Sequence, residues 1–347
     1  MFYDKEIPVT DTQLAILFDS RESVSYEYLI NRYQETDIMY LCNNRLLLDK
    51  ENVWNEYNIQ YAEIEVNTIC NYFCEYCPNK IYSKRKKVMS LIIFEKIIQQ
   101  LVRLGTLQYV TFHAYNEPLL DPLFEERLHY LKTYGVKLEL FTNASNLTKN
   151  IVDAIEEYGM LRTIKINLPS LDPKTFTVMT GFSDLQTVMK NIEYALQKKL
   201  NMEIICNGTS RDFEKNLPIL KRYFRQYNVF VKRNSTNDRA GLVKGKYAMK
   251  YHFPKRLSGC NQLLTWIHFN VDGDVYLCFM DYFQNYKFGN IFYTDLKSIL
   301  ECSEMQAMRK QVFGMKSAED YFICRRCWNN LLARRYRYAS RELNVIS

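Results

Sequence analysis

The chain has 347 residues, enough for one large domain or two to three smaller ones around a real hydrophobic core. No stretch approaches the roughly 18 uninterrupted apolar residues of a membrane helix, and no basic segment followed by an apolar one marks a signal peptide, so we expect a cytoplasmic protein without a membrane span. The net charge of +7 is modest and its basic clusters indicate solvated faces, which does not favour a nucleic-acid partner.

Residues 1–57 form the first predicted unit, a small N-terminal α+β module. Two short helices are expected at about Asp11–Asp19 and Ser25–Tyr33. A β-hairpin should follow, pairing Ile38–Cys42 with Leu46–Leu48 across an Asn-Asn turn. Two helices and a hairpin are compatible with a winged-helix-like module, and a plug over the open end of a barrel is an equal alternative.

Residues 58–245 alternate short β-type runs with amphipathic helices. Ser90 is expected to cap a helix that stops at Gly105, Asp121-Pro122 and Asp172-Pro173 are expected to open helices, and Ser183 to begin another. Six β-α units in series imply a parallel sheet, because parallel neighbours require crossovers. The fold class is therefore α/β, a partial (β/α)6 TIM-like barrel with ligands at the carboxyl strand ends. The expected strands are Ala62–Asn67, Tyr109–Ala114, Lys137–Thr142, Thr163–Leu168, Met202–Cys206 and Val229–Arg233.

Ten cysteines are unlikely disulfide partners in a reducing cytosol, so their clustering points to metal. Cys70, Cys74 and Cys77 follow the first strand with the spacing C-x3-C-x2-C. Three thiolates can hold one cubane cluster and leave one iron open for a ligand. The alternative is zinc, but a structural zinc site requires four ligands, and no nearby His or Cys supplies the fourth.

Residues 246–347 lose the β-α rhythm and contain a second cysteine set. Cys260, Cys278, Cys324 and Cys327 could form one cluster, or alternatively a zinc ribbon. Gly273 and Cys278 are expected on a hairpin that turns at Asp272-Gly273. The three isolated thiols are interpreted as buried packing, namely Cys42, Cys206 and Cys302.

The first cysteine set, with Tyr76 before its third cysteine, resembles the signature of the radical S-adenosylmethionine (radical SAM) superfamily. Tyr115-Asn116-Glu117-Pro118 resembles the family's GGEP motif, although Tyr115 and Asn116 replace both glycines. The polar ends of the third and fourth strands also resemble its SAM contacts, with ordinary turns as the alternative for each residue. The resemblance therefore implies a SAM site made by Tyr76, Asn116, Glu117, Thr142, Asn143, Asn167 and Ser170.

This resemblance also implies cofactors and partners. The open iron of a [4Fe–4S] cluster would bind SAM, whose reductive cleavage gives a 5′-deoxyadenosyl radical, and a flavodoxin- or ferredoxin-type donor would supply the electron. The second cysteine set resembles the SPASM/twitch subgroup, which implies one auxiliary iron–sulfur cluster of the [4Fe–4S] type. A second auxiliary cluster is rejected because only Cys302 remains nearby.

Relatives in this subgroup modify ribosomally made peptides or oxidise small molecules. The N-terminal module favours an oxidative crosslink, epimerisation or similar change on a peptide, because such a module could hold a leader segment by strand addition. The alternative is an aminocyclitol or alcohol dehydrogenase, and a non-catalytic iron–sulfur or zinc protein is the remote third. No acid or base is assigned, but His113, Tyr115 and Arg239 are candidates at the ends of strands two and six.

Overall fold

The protein is described by a computed structural model that covers residues 7–20, 24–44, 46–47, 57–248, 257 and 259–327. Leu48 of the expected hairpin and the basic run Arg334-Arg335-Tyr336-Arg337 lie outside these residues. In the part of the chain that the structure covers, no helix is both long enough and apolar enough to cross a membrane.

The N-terminal module consists of helices α1 (Asp11–Asp19), α2 (Tyr26–Ile30) and α3 (Glu35–Asn43) within residues 7–44. The second helix was expected over about Ser25–Tyr33, and the observed α2 is shorter, with Ser25 as its N-cap. The strand expected at Ile38–Cys42 is wrong, because this segment lies inside α3. Its apolar residues recur at a spacing of three, which places them on one helical face. That face closes a small separate core made by Ile16, Leu29, Ile38 and Leu41.

The barrel region confirms the predicted parallel sheet. Its six strands form consecutive parallel pairs, and each crossover carries a helix, so the helices cover the outer face. The strands are β1 (Tyr61–Ile64), β2 (Tyr109–Phe112), β3 (Leu138–Thr142), β4 (Leu161–Asn167), β5 (Met202–Gly208) and β6 (Phe230–Ser235). The helices between them are α4 (Leu91–Arg103), α5 (Phe124–Thr133), α6 (Lys149–Tyr158), α7 (Pro173–Thr180), α8 (Leu185–Gln197) and α9 (Ser210–Phe224).

Helix α4 shows how the sequence produces this layer. The Ser90 side chain accepts a hydrogen bond from the Ile93 amide at its start, and Gly105 follows its end with a φ of 71°. Its fully buried stripe packs on the sheet, and each such side chain contributes about 1.5–3 kcal/mol by leaving water. The stripe consists of Phe94, Ile97, Ile98 and Leu101.

Two helix starts differ from expectation. Helix α5 begins at Phe124 rather than at Pro122, because Asp121 instead accepts from the Leu123 amide and pairs with fully buried Arg127 at 2.6 Å. Helix α8 is capped by Asp184 and not by Ser183. The prediction for α7 is confirmed, since Asp172 caps it and Pro173 is its first residue.

The C-terminal region extends the same sheet. Strand β7 (Trp266–Phe269) pairs in parallel with β1, and β8 (Asp274–Tyr276) and β9 (Lys287–Asn290) continue antiparallel. The predicted hairpin turn is confirmed, with Gly273 at a φ of 84°. The nine strands run in the order β6-β5-β4-β3-β2-β1-β7-β8-β9. Within its described residues 259–327, this region also contains the helices α10 (Gln262–Thr265), α11 (Leu296–Glu301) and α12 (Ser303–Val312).

Candidate functional site

One cavity of about 370 Å³ lies at the carboxyl ends of β1 to β6, and we call it the barrel cavity. Carboxyl ends of parallel strands are the usual place for ligands in such sheets. Its lining unites most residues predicted from sequence, including Cys70, Cys74, Cys77, His113, Tyr115, Asn116, Glu117, Thr142, Asn143, Asn167 and Arg239.

Main-chain hydrogen bonds hold the loop of the first three cysteines. The amides of Phe73 and Glu75 donate to the last carbonyls of α7, those of Thr180 and Met179, at 2.9 and 3.0 Å. The Cys77 amide turns back onto the Cys74 carbonyl at 3.0 Å. A loop tied down in this way presents its three thiols as a fixed group.

The surroundings of these thiols are buried but carry cations. Burial raises the pKa of Cys70 to about 12 and also raises that of Cys77. Lys84 and Arg239 act in the opposite direction on the Cys77 pKa through their charge. Metal binding requires the thiolate form. The charges of Lys84 and Arg239 favour the thiolate of Cys77, and a positively charged cluster core would favour it further.

Glu117 braces the loop that follows β2. One carboxylate oxygen accepts from Thr142 Oγ1 at 2.7 Å, and the other accepts from the Asn143 amide at 2.7 Å. Burial raises the pKa of this carboxyl to about 7, against the lowering effect of its hydrogen bonds. Glu117 therefore joins the ends of β2 and β3 and does not point an unused oxygen at the cavity.

The two residues that replace the glycines of the GGEP motif carry unsatisfied polar atoms. Among the described residues, neither atom of the Asn116 side-chain amide has a hydrogen-bond partner, and the buried Tyr115 hydroxyl also has none. Buried polar groups are normally paired, because leaving one unpaired costs about 1–3 kcal/mol. Both residues line the barrel cavity, so these atoms fit a site completed by a polar ligand.

Side-chain amides form the wall on the β4 to β6 side. Asn167 exchanges hydrogen bonds with the Tyr76 hydroxyl at 3.0 Å and accepts from Asn207 at 2.7 Å. Asn234 continues the row onto Asn207. Ser170 does not join this wall, because its buried hydroxyl donates to Asn216 at 2.9 Å behind it.

Arg239 projects from a strained turn after β6. It and Ala240 have positive φ angles of 50° and 55°, which are costly for residues with a side chain. Its guanidinium lies between the rings of Tyr115 and Phe279, at 5.8 and 5.9 Å. The buried Nε has no hydrogen-bond partner among the described residues.

Sequence reasoning missed a charged group beneath the cavity. Glu63 of β1 is buried and contacts His113 Nδ1 at 3.0 Å and His268 Nδ1 at 3.3 Å. Lys165 lines the cavity and pairs with buried Glu139 at 2.7 Å. The available signal was a charged residue inside an otherwise apolar strand, as at Glu63 and Glu139.

The second cysteine set lies around a much smaller cavity of about 20 Å³, which we call the thiol cavity. Burial raises the pKa of Cys278 and Cys324 well above its usual value. Phe279 lines both cavities and so lies between the two cysteine sets. The thiol cavity is lined by Cys260, Cys278, Cys324 and Cys327 together with mainly apolar neighbours.

The donor chemistry of both sites fits iron–sulfur clusters. Three thiols beside a larger cavity that also has polar side chains in its lining suit a cluster with one iron free for a ligand, whereas four thiols around a small apolar cavity suit a fully ligated cluster. Among the described residues no three His, Cys, Asp or Glu side chains are arranged to hold a single metal ion. The isolated Cys302 instead caps α12, where its sulfur accepts from the Met305 amide at 3.4 Å.

Comparison with known proteins matches two families to this chain. Residues 64–215 match the radical SAM superfamily, and residues 260–328 match an iron–sulfur cluster-binding domain, SPASM. The GTP 3′,8-cyclase of Actinobacillus pleuropneumoniae is 28% identical over 171 residues, 46% of this chain and 49% of the relative. The S-adenosyl-L-methionine-dependent 2-deoxy-scyllo-inosamine dehydrogenase of Niallia circulans is 32% identical over 106 residues, 29% of this chain and 42% of the relative. The chain thus aligns with about half the length of the curated relatives it matches.

Solved structures share the fold. SuiB of Streptococcus suis bound to its precursor peptide SuiA superposes with a TM-score of 0.63 at 15% identity, covering 83% of this chain and 73% of SuiB. BtrN in complex with AdoMet and 2-DOIA superposes with a TM-score of 0.54 at 19% identity, covering 78% of this chain and 93% of BtrN. With both domains matched and their cysteines gathered at two cavities, the chain combines a radical SAM domain at residues 64–215 with a SPASM iron–sulfur cluster-binding domain at residues 260–328.

Proposed function

We propose that this protein is a radical SAM enzyme that oxidatively modifies a peptide. The observation that carries the proposal is the barrel cavity, where three thiols, unpaired polar atoms and a wall of amides meet at the carboxyl strand ends. We propose Cys70, Cys74 and Cys77 as ligands of the SAM-binding cluster. We propose the four thiols around the thiol cavity as ligands of one auxiliary cluster.

The residues of the chain divide the work around this cavity. When bound, SAM and the two clusters supply a 5′-deoxyadenosyl radical and a site that takes up one electron. The Asn116 amide and the Tyr115 hydroxyl offer unpaired donors and acceptors to a polar ligand. Glu117 holds the loop that carries them. The barrel walls then keep water from a reactive radical.

The peptide assignment is supported by the amide wall and by the fold relatives. Asn167, Asn207 and Asn234 follow one another across three strand ends, and such amides can pair with peptide groups as both donors and acceptors. SuiB, which shares the fold, was solved with a precursor peptide. Strand addition loses its support, since residues 35–43 are helical. The N-terminal module offers helical faces instead, with exposed Leu14 and Ile30.

The test is anaerobic incubation with SAM, a reductant and peptides encoded in the genomic neighbourhood. A peptide that loses two hydrogens while 5′-deoxyadenosine forms in step would support the proposal. The matched control is the Cys74→Ala variant, which should form neither product. If no peptide changes mass while small alcohols are oxidised, the peptide assignment is wrong.

Oxidation of a small polyhydroxylated substrate is the second candidate. The similarity to the Niallia circulans dehydrogenase favours it, as does the set of four cysteines at the thiol cavity. The hydroxyl groups of such a substrate would form hydrogen bonds with the same side-chain amides, those of Asn167, Asn207 and Asn234. A panel of aminocyclitols under the same anaerobic conditions separates the two candidates, because only the true substrate class should raise 5′-deoxyadenosine formation above its background.

We also propose the division into residues 1–57, 58–245 and 246–347, and a flavodoxin- or ferredoxin-type electron donor. The continuous sheet means that the last two units share backbone hydrogen bonds between β1 and β7. The donor proposal follows from the one-electron chemistry of the first cluster. Replacing a chemical reductant by a purified flavodoxin system should sustain 5′-deoxyadenosine formation.

A further inference from the structure

A buried carboxylate lies beneath the barrel cavity and divides its two oxygens between different partners. Glu63 Oε2 contacts His113 Nδ1 at 3.0 Å. Glu63 Oε1 contacts His268 Nδ1 at 3.3 Å and accepts from the Tyr276 hydroxyl at 3.5 Å. Glu63 Oε2 therefore contacts His113, while Oε1 contacts side chains of β7 and β8.

Strand register produces this arrangement. Glu63 is directly opposite His268 in the β1–β7 pair and opposite Thr111 in the β1–β2 pair. His113 stands two residues after Thr111, so it shares the same face of the sheet one step nearer the cavity. Burial by itself would raise the pKa of Glu63, but hydrogen bonds from His113 and His268 outweigh it and lower the pKa to about 2. Glu63 is thus an ionised acceptor for both rings.

His113 connects this buried group to the cavity. Its side chain is 32% exposed and lines the barrel cavity, whereas the Glu63 side chain is 4% exposed. Its ring packs at 4.6 Å against Phe141, whose other neighbour is the Lys165 ammonium paired with Glu139. With Nδ1 directed at Glu63, the other ring nitrogen, Nε2, is the one left for the cavity.

We propose that His113 Nε2 is the proton acceptor for the substrate oxidation and that Glu63 is its positioning residue. The proposal rests on the oxidative function proposed above. With SAM and the clusters bound, the substrate would lose a hydrogen atom from carbon to the 5′-deoxyadenosyl radical, which would become 5′-deoxyadenosine. It would lose a proton from the adjacent N–H or O–H to His113 Nε2, and the auxiliary iron–sulfur cluster would supply the acceptor for one electron. The product then lacks two hydrogens, and charge balances.

The contact between Glu63 and His113 determines which ring nitrogen of His113 carries the proton. Because Glu63 can only accept, the neutral His113 ring must place its proton on Nδ1, which leaves a lone pair on Nε2. His268 cannot replace it, because this ring is buried and its Nε2 contacts the Gln262 side chain at 3.0 Å. His113 is the ring of this cluster that both touches the carboxylate and reaches the cavity.

The first experiment measures this tautomer without a substrate. The chain has four histidines, so ¹⁵N-histidine labelling of the oxidised holoenzyme gives four ring systems, and single His→Gln variants assign them. Protonated Nδ1 and unprotonated Nε2 on neutral His113 supports the proposal. Protonated Nε2 overturns it, because no lone pair would then face the cavity. Glu63→Gln should convert His113 to a mixture of tautomers, and Glu63→Asp provides the milder variant if Gln fails to fold.

The second experiment compares products in turnover with the identified substrate. His113→Gln should lower product formation by about 10²-fold or more while SAM binding, substrate binding and iron content stay unchanged. The ratio of 5′-deoxyadenosine to product should rise by a similar factor, and imidazole should restore product in His113→Gly. His129→Gln is the matched control, because His129 lies exposed on α5.

These results separate the proposal from the function on which it rests. If the wild-type protein converts no substrate, the proposed function fails, while the tautomer result still stands by itself. An unchanged ratio in His113→Gln overturns the proton role. Loss of SAM binding in this variant also overturns it, because His113 would then be a cofactor contact.

Discussion

The two thiol sites use the same ligand type in opposite surroundings. The first set borders a cavity of about 370 Å³ lined by amides, hydroxyls and cations, whereas the second lines one of about 20 Å³ among mainly apolar residues. An open polar site can admit and orient a cofactor and a substrate. A small apolar cavity with four thiols suits a fully ligated cluster, which can take up an electron without binding a substrate.

Nearby charge separates the sites further. Burial raises the pKa of Cys77, and the charges of Arg239 and Lys84 oppose this rise. At Cys324 burial raises the pKa, and the neighbouring thiols and Asp281 raise it further. Phe279 lines both cavities, so the barrel cavity and the thiol cavity are adjacent. This proximity is what a path for one electron requires.

The comparison is tested most severely by Cys74→Ala. Removing this ligand should abolish the first cluster and with it SAM cleavage, a fall of at least about 10³-fold in 5′-deoxyadenosine. Iron should fall from about eight to about four per chain, because the closed site keeps its own ligands. Iron and sulfide analysis of anaerobically purified protein measures this. The control is Cys302→Ala, which removes a helix cap and should keep all the iron. Loss of both clusters from Cys74→Ala would contradict the prediction that the two sites bind their clusters independently.

Cys324→Ala should show the reverse pattern. The second cluster should be lost, and substrate oxidation with it, because the electron left after hydrogen abstraction has no acceptor. Cleavage of SAM without substrate should persist within about threefold, since the first site keeps its three thiols. The readout is 5′-deoxyadenosine per product, together with iron content. Unaltered product formation in Cys324→Ala would show that the reaction does not require the auxiliary cluster.

Much of this layout was predictable because it depends on local rules. The alternation of strands and helices gives the parallel barrel, and C-x3-C-x2-C after β1 places three thiols at the carboxyl edge. The candidates His113, Tyr115 and Arg239 do line the barrel cavity. The assignment of α7 succeeded because Asp172 and Pro173 are strong local start signals.

The failures depend on tertiary contacts that a local sequence pattern does not show. Asp121 was expected to start a helix, but Arg127, six residues later, is buried and competes for its carboxylate. The hairpin at Ile38–Cys42 failed because a helical face can close on Ile16, more than twenty positions away. Glu63 was overlooked because its partner His268 stands 205 residues later. Pairing of β1 with β7 had no local signal at all.

Glu117 makes the first site sensitive to pH in a defined direction. Its folded-state pKa of about 7 exceeds the ordinary 4.5, so the folded protein holds a proton that the unfolded chain releases between these values. The free energy of unfolding should therefore decrease as pH rises through this window, by up to about 3 kcal/mol. The pKa of Glu63 is lowered from 4.5 to about 2, so its contribution to the free energy of unfolding changes only at a pH below this window. Urea unfolding at pH 5 and 7.5 should show this decrease in wild type and not in Glu117→Gln.

Exposed Glu126 of α5 offers the matched control for this measurement. Glu126→Gln should leave the pH dependence as in wild type, because it removes an exposed carboxyl and leaves Glu117 and its hydrogen bonds in place. If Glu117→Gln keeps the full decrease between pH 5 and 7.5, another group carries it.

Asn116→Gly gives the smallest expected effect and tests how the open site accommodates SAM. Glycine restores the residue of the family's motif, but it removes an amide whose two polar atoms have no partner among the described residues. If these atoms bind SAM, affinity should weaken by about 2- to 10-fold, the contribution of one net hydrogen bond. Anaerobic calorimetry measures the change, with exposed Asn228→Gly as control. Equal or tighter binding would mean that only the backbone at Asn116 holds the cofactor.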